Sequence, residues 1–367
     1  MIFRSRRKPA GGNGQATVKE PPASVPDVEE YRMEPTALRP LPPAELDALF
    51  AEIDALTRSN RGPRDPEVEA RLLELRHRAG AGLIADPPHR PEQPSPAEGL
   101  PAHGPNGSAL PEVSADELTP GLLRAGMLQN GCLLVRGLVD PETSADLAHG
   151  IDAAFAERSG SPTDPSHRYY REFAPDPPFP VLGERPWIEE GGGVLAVDSP
   201  RVMFDVLEAF EQAGMPELIR DYLGERPALS ANKSTLRKAE PSVPGAWHQD
   251  GSFLGDVRAL NVWLALSRCG DTAPGLDVVP RRLDDYVPTG TEGTYLGFQV
   301  SQAIAEQAAG ETGIERPIFN PGDALLFDEL FLHQTASDPS MPNVRYAVEA
   351  WFFGPSAFPN GYVPISY

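Results

Sequence analysis

Short apolar runs of strand length, separated by turns rich in Pro and Gly, dominate the sequence from about residue 226 to residue 353. Runs of this kind at close spacing are typical of β-sandwiches and barrels. Helical patterns are predicted earlier, ahead of residue 222. Helices followed by many short strands indicate an α+β domain built round an antiparallel β-sandwich or barrel. The runs are PALSANKSTL, RALNVWLAL, GLDVVP, DALLFDELFL and RYAVEAWFF.

The 367 residues can hold one such domain together with further segments. We predict a disordered segment over 1–40, a helical pair over 41–85, a Pro/Gly-rich linker over 86–113 and the main domain over 114–367. The helical pair either packs on the main domain or forms an arm for a partner, such as a homodimer, because two helices cannot bury their apolar stripes alone. The stripes are Leu46, Leu49, Phe50, Ile53 and Leu56, then Val68, Leu72 and Leu75.

Charge and composition exclude several classes of partner. The formal net charge of −21 argues against a nucleic acid or an anionic membrane as a partner held by charge. No stretch is long and apolar enough for a membrane span, and the basic start lacks the apolar core of a secretory signal. The two cysteines, Cys132 and Cys269, form no CxxC pair and are expected to be small buried residues. We therefore expect a soluble, cytoplasmic protein acting on a small molecule.

Three residues have the chemistry of a metal site. In AWHQDGSF, His248 and Asp250 would project to the same side of an extended segment, since side chains two apart share a face. His333, after the apolar run of LLFDELFLHQT, is the candidate for a third ligand. Two imidazoles and one carboxylate leave adjacent positions open and are typical of non-haem iron(II) oxygenases. His-x-Asp alone is a weak signal, so the prediction depends also on the residues that come after His333.

Arg345 lies twelve positions after His333, inside RYAVEAWFF. A planar, permanently charged guanidinium can grip the distal carboxylate of a buried co-substrate, and Thr335 could add a hydroxyl to the same group. The alternative is a strand arginine that pairs with an acid on the surface. A metal triad nearby favours the first interpretation, because a buried carboxylate needs a partner.

The sequence resembles the phytanoyl-CoA dioxygenase (PhyH-like) family of iron(II)/2-oxoglutarate oxygenases over roughly residues 115–355. The resemblance is carried by HQDG, NVWLAL, APGLDVVP and PGDALLFDELFLHQTASDPSMPNVRYAV. It implies a double-stranded β-helix, or jelly-roll (cupin-like), core with flanking helices. It also implies Fe(II) held by His248, Asp250 and His333, and 2-oxoglutarate held by Arg345 and Thr335. Trp263, in NVWLAL, matches an aromatic position beside the co-substrate and could equally be a core tryptophan.

Two departures from the family pattern concern the substrate. Many members have PGSH where this chain has PRRLDD at 280–285, a turn that borders the site, and the first ~110 residues have no recognised counterpart. The halogenating relatives replace the metal-bound carboxylate with a small residue. Because Asp250 is present, halogenation is disfavoured.

Further residues are candidates for supporting roles. Lys233 or Arg237 could meet an anionic group of the co-substrate or substrate, or pair with an acid. Asp328 or Glu329 could accept from a ligand imidazole or be exposed acids. The aromatic loop over 157–195 is a candidate substrate lid. Its aromatics Tyr169, Tyr170, Phe179 and Trp187 would line the pocket, or else anchor the loop on the core.

These observations predict a dioxygenase that uses Fe(II), 2-oxoglutarate and O2 to hydroxylate a small organic substrate, with release of succinate and CO2. Lipid-derived, amino-acid-derived and secondary metabolites all remain open as substrates. One alternative is a jelly-roll protein that binds metal without turnover, as a binding or regulatory module. Another is a metal-dependent hydrolase or isomerase, which would leave Arg345 and Thr335 without an obvious task.

Overall fold

The computed structural model describes residues 38–92, 99, 108–160, 166–243 and 245–367. The predicted disordered segment over 1–40 lies almost wholly outside the described residues, as does half of the predicted linker. Nine helices occur in the described part of the chain: α1 (Pro43–Asn60), α2 (Pro66–Ala85), α3 (Pro120–Asn130), α4 (Pro141–Ser159), α5 (Arg185–Glu190), α6 (Pro200–Gln212), α7 (Met215–Leu223), α8 (Gly251–Leu254) and α9 (Gln302–Ala309). None of the described helices is long and apolar enough to cross a membrane.

The described strands form one large sheet and one small ribbon. They are β1 (Glu112–Ser114), β2 (Cys132–Arg136), β3 (Gly193–Leu195), β4 (Ala228–Ser230), β5 (Thr235–Ala239), β6 (Ala259–Ala265), β7 (Gly275–Val278), β8 (Ala324–Phe327), β9 (His333–Ala336), β10 (Arg345–Phe353) and β11 (Pro364–Ser366). The nine-stranded sheet has the order β1-β2-β8-β6-β10-β4-β11, and β5 pairs with both β10 and β3. Strands β7 and β9 form the ribbon. Every pairing except β1–β2 is antiparallel. The result is a mixed helix-and-sheet architecture.

The large sheet buries side chains on both faces, and β10 shows how. Val348, Ala350 and Phe352 belong to the core that also contains residues of α3, α4, α6 and α7. Ala347, Trp351 and Phe353, on the opposite face, belong to a second core with Leu276 and Val278 of the β7–β9 ribbon. Side chains alternate between the faces of a strand, so β10 separates a helical layer from an interior enclosed between sheet and ribbon. Of the predicted site residues, Trp263, His333, Thr335 and Arg345 lie on strands of this interior. The other three, His248, Asp250 and Lys233, lie outside the strands, and His248 is half-buried.

The predicted helical pair forms and packs on the main domain. Asp65 caps α2 by accepting from the amide of Glu67, as its sequence position indicates. Leu49 and Ile53 of α1 are buried with Leu72 and Leu75 of α2 and with Phe204 of α6. At Gly80 an added Cβ would lie 3.0 Å from backbone atoms of Pro364, so a side chain here would push α2 and β11 apart by a few tenths of an ångström. The apolar stripes of the two helices are thus covered within the chain. A homodimer through these helices stays a prediction, and no exposed apolar stripe supports it.

Local residue types account for the elements around residue 130, whereas two boundaries differ from those predicted. The helix that precedes Gly131 ends there with a left-handed residue of φ 78°, and the next apolar run forms β2. The run PALSANKSTL is not one strand: it divides into β4 and β5 at a turn over 231–234. The end of the predicted linker is part of the sheet, because Glu112 and Val113 pair with β2.

Candidate metal centre

His248, Asp250 and His333 come together although they lie on different elements. His248 and His333 face each other across an isolated antiparallel bridge, with N–H to O distances of 3.0 and 3.2 Å in the two directions. Asp250 is the N-cap of α8, with φ −61° and ψ −34°. The predicted extended geometry for His248-x-Asp250 is therefore wrong at Asp250, where the chain turns into a helix. The two side chains still converge because this turn directs the carboxylate to the imidazoles.

The three side chains leave ligand atoms facing one point. Nε2 of His248 lies 3.7 Å and Nε2 of His333 3.8 Å from Oδ2 of Asp250, and all candidate ligand atoms lie within 4.8 Å of one another. Nδ1 of His248 is 2.8 Å from the carbonyl of Ala246, and Nδ1 of His333 is 3.1 Å from the carbonyl of Phe331. Donation from Nδ1 to these carbonyls leaves the Nε2 lone pair of each ring available to a metal.

Asp328 and Glu329, the other candidates for orienting the imidazoles, have different partners. Asp328 is buried and pairs with Arg282, while Glu329 accepts from the amide of Ala259. The sequence predicted that Asp328 would be either an exposed acid or a partner of a ligand imidazole. It is neither. Backbone carbonyls orient the two rings instead.

Lys233 contacts the candidate metal ligand directly. Its Nζ lies 2.8 Å from Oδ1 of Asp250, the oxygen that does not face the imidazoles, and 4.6 Å from the ring centre of Phe253. Burial opposes ionisation of Asp250, but Lys233 and the two histidines outweigh it and lower the pKa of the carboxyl to about 2. Burial is also the largest influence on His333, and it lowers the pKa of that imidazole to about 4. An ionised carboxylate and a neutral imidazole are the forms that bind a cation.

Arg345 is a buried cation without an acid partner among the described residues. Its exposed fraction is 2%, Nη1 donates to the carbonyl of Gly275 at 3.2 Å, and Nε has no hydrogen-bond partner. The guanidinium lies 5.5 Å from the ring centre of Trp263, whose buried Nε1 also lacks a partner. Burial lowers the pKa of Arg345. The alternative that Arg345 pairs with an acid on the surface is therefore wrong. Buried donors without a partner cost free energy of folding unless an anion binds to them.

Thr335 lies between His333 and Arg345. It is two residues beyond His333 on β9, so both side chains point to the same face of the ribbon. In the register of the ribbon, Thr335 pairs with Leu276 and Ala336 with Gly275, whose carbonyl accepts from Arg345. Thr335 thus shares a ribbon face with His333 and lies one residue from the Gly275–Ala336 pair that Arg345 contacts.

A second, half-buried ion pair lies on the same face of the large sheet and was not predicted from the sequence. Glu349 pairs with Arg237 at 3.2 Å and accepts from the hydroxyl of Thr235 at 2.8 Å. Arg237 and Thr235 outweigh the effect of burial and lower the pKa of Glu349 to about 2. The period of two from Arg345 through 347 to Glu349 could have indicated this position. Arg237 is therefore paired with an acid rather than free to meet a ligand.

The predicted lid over 157–195 packs mainly on the helical layer. Phe179 contacts His77 of α2 in an edge-to-face arrangement at 5.0 Å, and Arg201 of α6 lies 5.8 Å from the ring centre of Tyr169. Tyr170 is buried with 3% exposure, and Trp187 is exposed on α5. At Tyr169 and Phe179 the lid prediction is wrong: these side chains anchor the loop on the helices. Residues 161–165 lie outside the described residues.

Comparisons with known proteins give remote structural likenesses. No protein-family model matches the chain, and no curated protein matches it. Among solved structures, EctD from S. alaskensis with 2-oxoglutarate and 5-hydroxyectoine is 18% identical, with 72% of this chain and 83% of that chain covered and a TM-score of 0.46. EctD with bound Fe is 16% identical, with coverage of 72% and 84% and a TM-score of 0.45. AviO1 from Streptomyces viridochromogenes Tue57 is 16% identical, with coverage of 66% and 98% and a TM-score of 0.42.

Proposed function

We propose that this chain is an iron(II)/2-oxoglutarate-dependent dioxygenase of the PhyH-like type that hydroxylates a small organic molecule. One observation carries the proposal: a largely buried His-Asp-His cluster shares an interior with a buried arginine that has no acid partner among the described residues. A set of three metal-ligating side chains alone would fit many proteins. Three metal-ligating side chains together with an unpaired guanidinium fit a co-substrate that binds a metal at one end and an arginine at the other.

The donor set fits Fe(II). Two imidazole nitrogens and one carboxylate oxygen, without a thiolate, occupy one side of the cluster and leave further positions for other ligands. The amide-to-carbonyl bridge between His248 and His333 fixes two of the three ligands relative to each other. His248, Asp250 and His333 would hold the metal, with Asp250 offering Oδ2.

The interior also fits 2-oxoglutarate. Arg345 offers the unpaired Nε to the distal carboxylate, and Thr335 offers its hydroxyl on the same face of the ribbon as His333. Trp263 forms the wall beside Arg345, and Lys233 supplies a cation at the metal end. When bound, Fe(II) and 2-oxoglutarate supply O2-dependent oxidation of a substrate C–H bond, with succinate and CO2 as by-products. The protein orients these groups and excludes water from the buried interior.

A double-stranded β-helix is the architecture that we propose for the core. The support is the large antiparallel sheet facing the β7–β9 ribbon across an apolar interior. In this arrangement the ligands lie where the ribbon meets the chain before α8, at one end of the enclosed space. Jelly rolls of this type can enclose a ligand between their sheets.

Anaerobic reconstitution with Fe(II) and 2-oxoglutarate tests the proposal. We expect a metal-to-ligand charge-transfer absorption that needs both components, and on admission of O2 the formation of succinate. Arg345→Ala should lose the absorption while it retains Fe(II). Binding of both components with no succinate, with or without a panel of candidate substrates, would favour the alternative of a metal-binding module without turnover.

A further inference from the structure

The segment over 280–301 lies against the His248, Asp250 and His333 side chains. It begins with the unusual PRRLDD turn. It connects β7 to α9 and is irregular throughout, but it is folded on itself: the amide of Gly290 donates to the carbonyl of Gln299, and the side chain of Gln299 accepts from the amides of Tyr295 and Leu296. Long irregular connections with their own internal bonds are often functional.

Gln249, between two of the candidate metal ligands, binds this segment with its side chain. It is fully buried; Oε1 accepts from the amide of Val287 at 2.8 Å, and Nε2 lies 3.3 Å from the carbonyl of Asp285. Nε2 also donates to the carbonyl of Leu330 at 2.6 Å, in the turn that leads to His333. The side-chain amide of Gln249 therefore links the backbone between His248 and Asp250 to two other places. These are the start of the 280–301 segment and the turn before His333.

The other end of the segment is held on the opposite side of His248. The amide of Val300 donates to the carbonyl of Trp247 at 2.8 Å, and the indole of Trp247 donates to Gln302 of α9 at 2.7 Å. The residues on either side of His248 thus anchor the two ends of one segment. A change in the position of the segment must act on the backbone that carries His248.

The segment brings an aromatic side chain to the cluster. Phe298 is half-buried, with its ring centre 6.4 Å from that of His248 and 5.3 Å from that of Phe253, both nearly perpendicular. Phe253 in turn lies under Nζ of Lys233. The two phenyl groups form an apolar wall beside the imidazole of His248, and the ammonium behind it disfavours a cationic group there.

We propose that Gln249 is a positioning residue that holds the 280–301 segment on the metal cluster, so that Phe298 presents an apolar surface to the substrate. The substrate it fits carries an uncharged apolar carbon group at the reacting end. This inference rests on the proposed function for the identity of the metal and of the reaction. The tie between Gln249 and the segment does not depend on either.

Gln249→Met removes every polar contact of the amide at nearly constant size. Gln334→Met is the matched control, because Gln334 also lies directly after a candidate ligand, His333, but donates to Asp277 on β7. Without metal, chymotrypsin should cleave after Tyr295 or Phe298 at least ~10-fold faster in Gln249→Met than in the control, since unpaired carbonyls and an unpaired amide favour local opening. If Gln249→Met fails to fold by circular dichroism, Gln249→Glu, which keeps only the acceptor for Val287, takes its place.

A distance readout tests the contact with the cluster. With fluorophenylalanine at position 298, Co(II) should shift and broaden the 19F signal in the otherwise unchanged protein and in the Gln334→Met background. In the Gln249→Met background the shift and the broadening should be much smaller. Retained thermal midpoints and unchanged Co(II) stoichiometry would separate this effect from a general loss of structure.

The outcomes are distinct. Equal cleavage and equal broadening in the two backgrounds would overturn the role of Gln249. Bound Co(II) without any effect on the 298 signal would overturn the placement of Phe298. If Co(II) does not bind, the proposed metal centre fails, whereas the comparison of cleavage rates without metal still decides whether Gln249 holds the segment.

Discussion

Nζ of Lys233 lies 2.8 Å from Oδ1 of Asp250, and the other oxygen of the same carboxylate faces both imidazoles of the cluster. The ion pair assigns one oxygen to the lysine and leaves one for a metal. It also places an ammonium group beside a site proposed for a dication. The lysine is therefore expected to oppose the metal and to favour an anion bound to that metal.

Lys233→Met should leave Co(II) or Mn(II) binding unchanged or tighter and weaken 2-oxoglutarate binding to the metal-loaded protein. The reason is that the ammonium repels a divalent cation but attracts the dianionic co-substrate. Calorimetric titration with the metal, then with 2-oxoglutarate, measures both effects. Lys233→Arg, which keeps the charge, should restore much of the 2-oxoglutarate affinity. Weaker metal binding, with an unchanged 2-oxoglutarate affinity once the metal is loaded, would mean that Lys233 acts only by orienting Asp250.

Removal of one ligand should abolish the metal site. His333→Ala is expected to weaken Co(II) binding by at least ~10²-fold, because even groups that only orient a ligand are worth about 10–100-fold. His149→Ala, at an exposed histidine of α4, is the control and should bind Co(II) as the parent does. Equilibrium titration by absorption measures the affinities. Parent-like binding by His333→Ala would show that the metal lies elsewhere.

Arg345→Ala should weaken 2-oxoglutarate binding by roughly 2–5 kcal/mol, the range for a buried charged contact, without loss of the metal. Arg345→Lys should rescue the affinity only in part, because an ammonium lacks the planar fork. Arg316→Ala is a control, since Arg316 pairs with Asp277 at the surface. An unchanged 2-oxoglutarate affinity in Arg345→Ala is the result that contradicts the assignment.

Glu349 gives a dependence of stability on pH. Its pKa is lowered from 4.5 to about 2 in the folded protein, so the folded state favours the ionised form. The stability it contributes is present above about pH 4.5 and lost as the pH falls towards 2, and it is at most about 3 kcal/mol because part of the side chain is solvated. In urea unfolding, Glu349→Gln should be less stable than the parent at pH 7, with the difference shrinking at acidic pH. A difference that is independent of pH would exclude this linkage.

Phe179→Ala should destabilise the fold rather than impair catalysis. Burial against His77 predicts a loss of about 3–5 kcal/mol in the free energy of unfolding. Trp187→Ala, at an exposed position of the same loop, should change it by less than about 0.5 kcal/mol. Urea unfolding measures both variants. If Phe179→Ala keeps parent stability and instead produces succinate without hydroxylated product, the loop would be a lid after all.

Local elements and the chemical types of the site residues could be predicted from the amino-acid sequence. Helix α2 is encoded by Asp65, Pro66 and the leucine spacing, because capping and helical periodicity are local properties. The choice of His248, Asp250 and His333 came from the donor types that iron(II) prefers, together with an arginine at a suitable distance along the chain. A strand residue such as Arg345 could be placed on a face from its period of two.

The partners of these side chains, in contrast, follow from how the elements pack together. Lys233 and Arg237 looked equivalent from the sequence, but one pairs with Asp250 and the other with Glu349. The reason is that the turn before β5 lies beside Asp250, whereas β5 itself pairs along β10. The aromatics near 170–180 looked like a lid, whereas the segment over 280–301 lies on the cluster through Gln249. Contacts between residues far apart in sequence depend on the packing of whole elements, which periodicity and residue type do not encode.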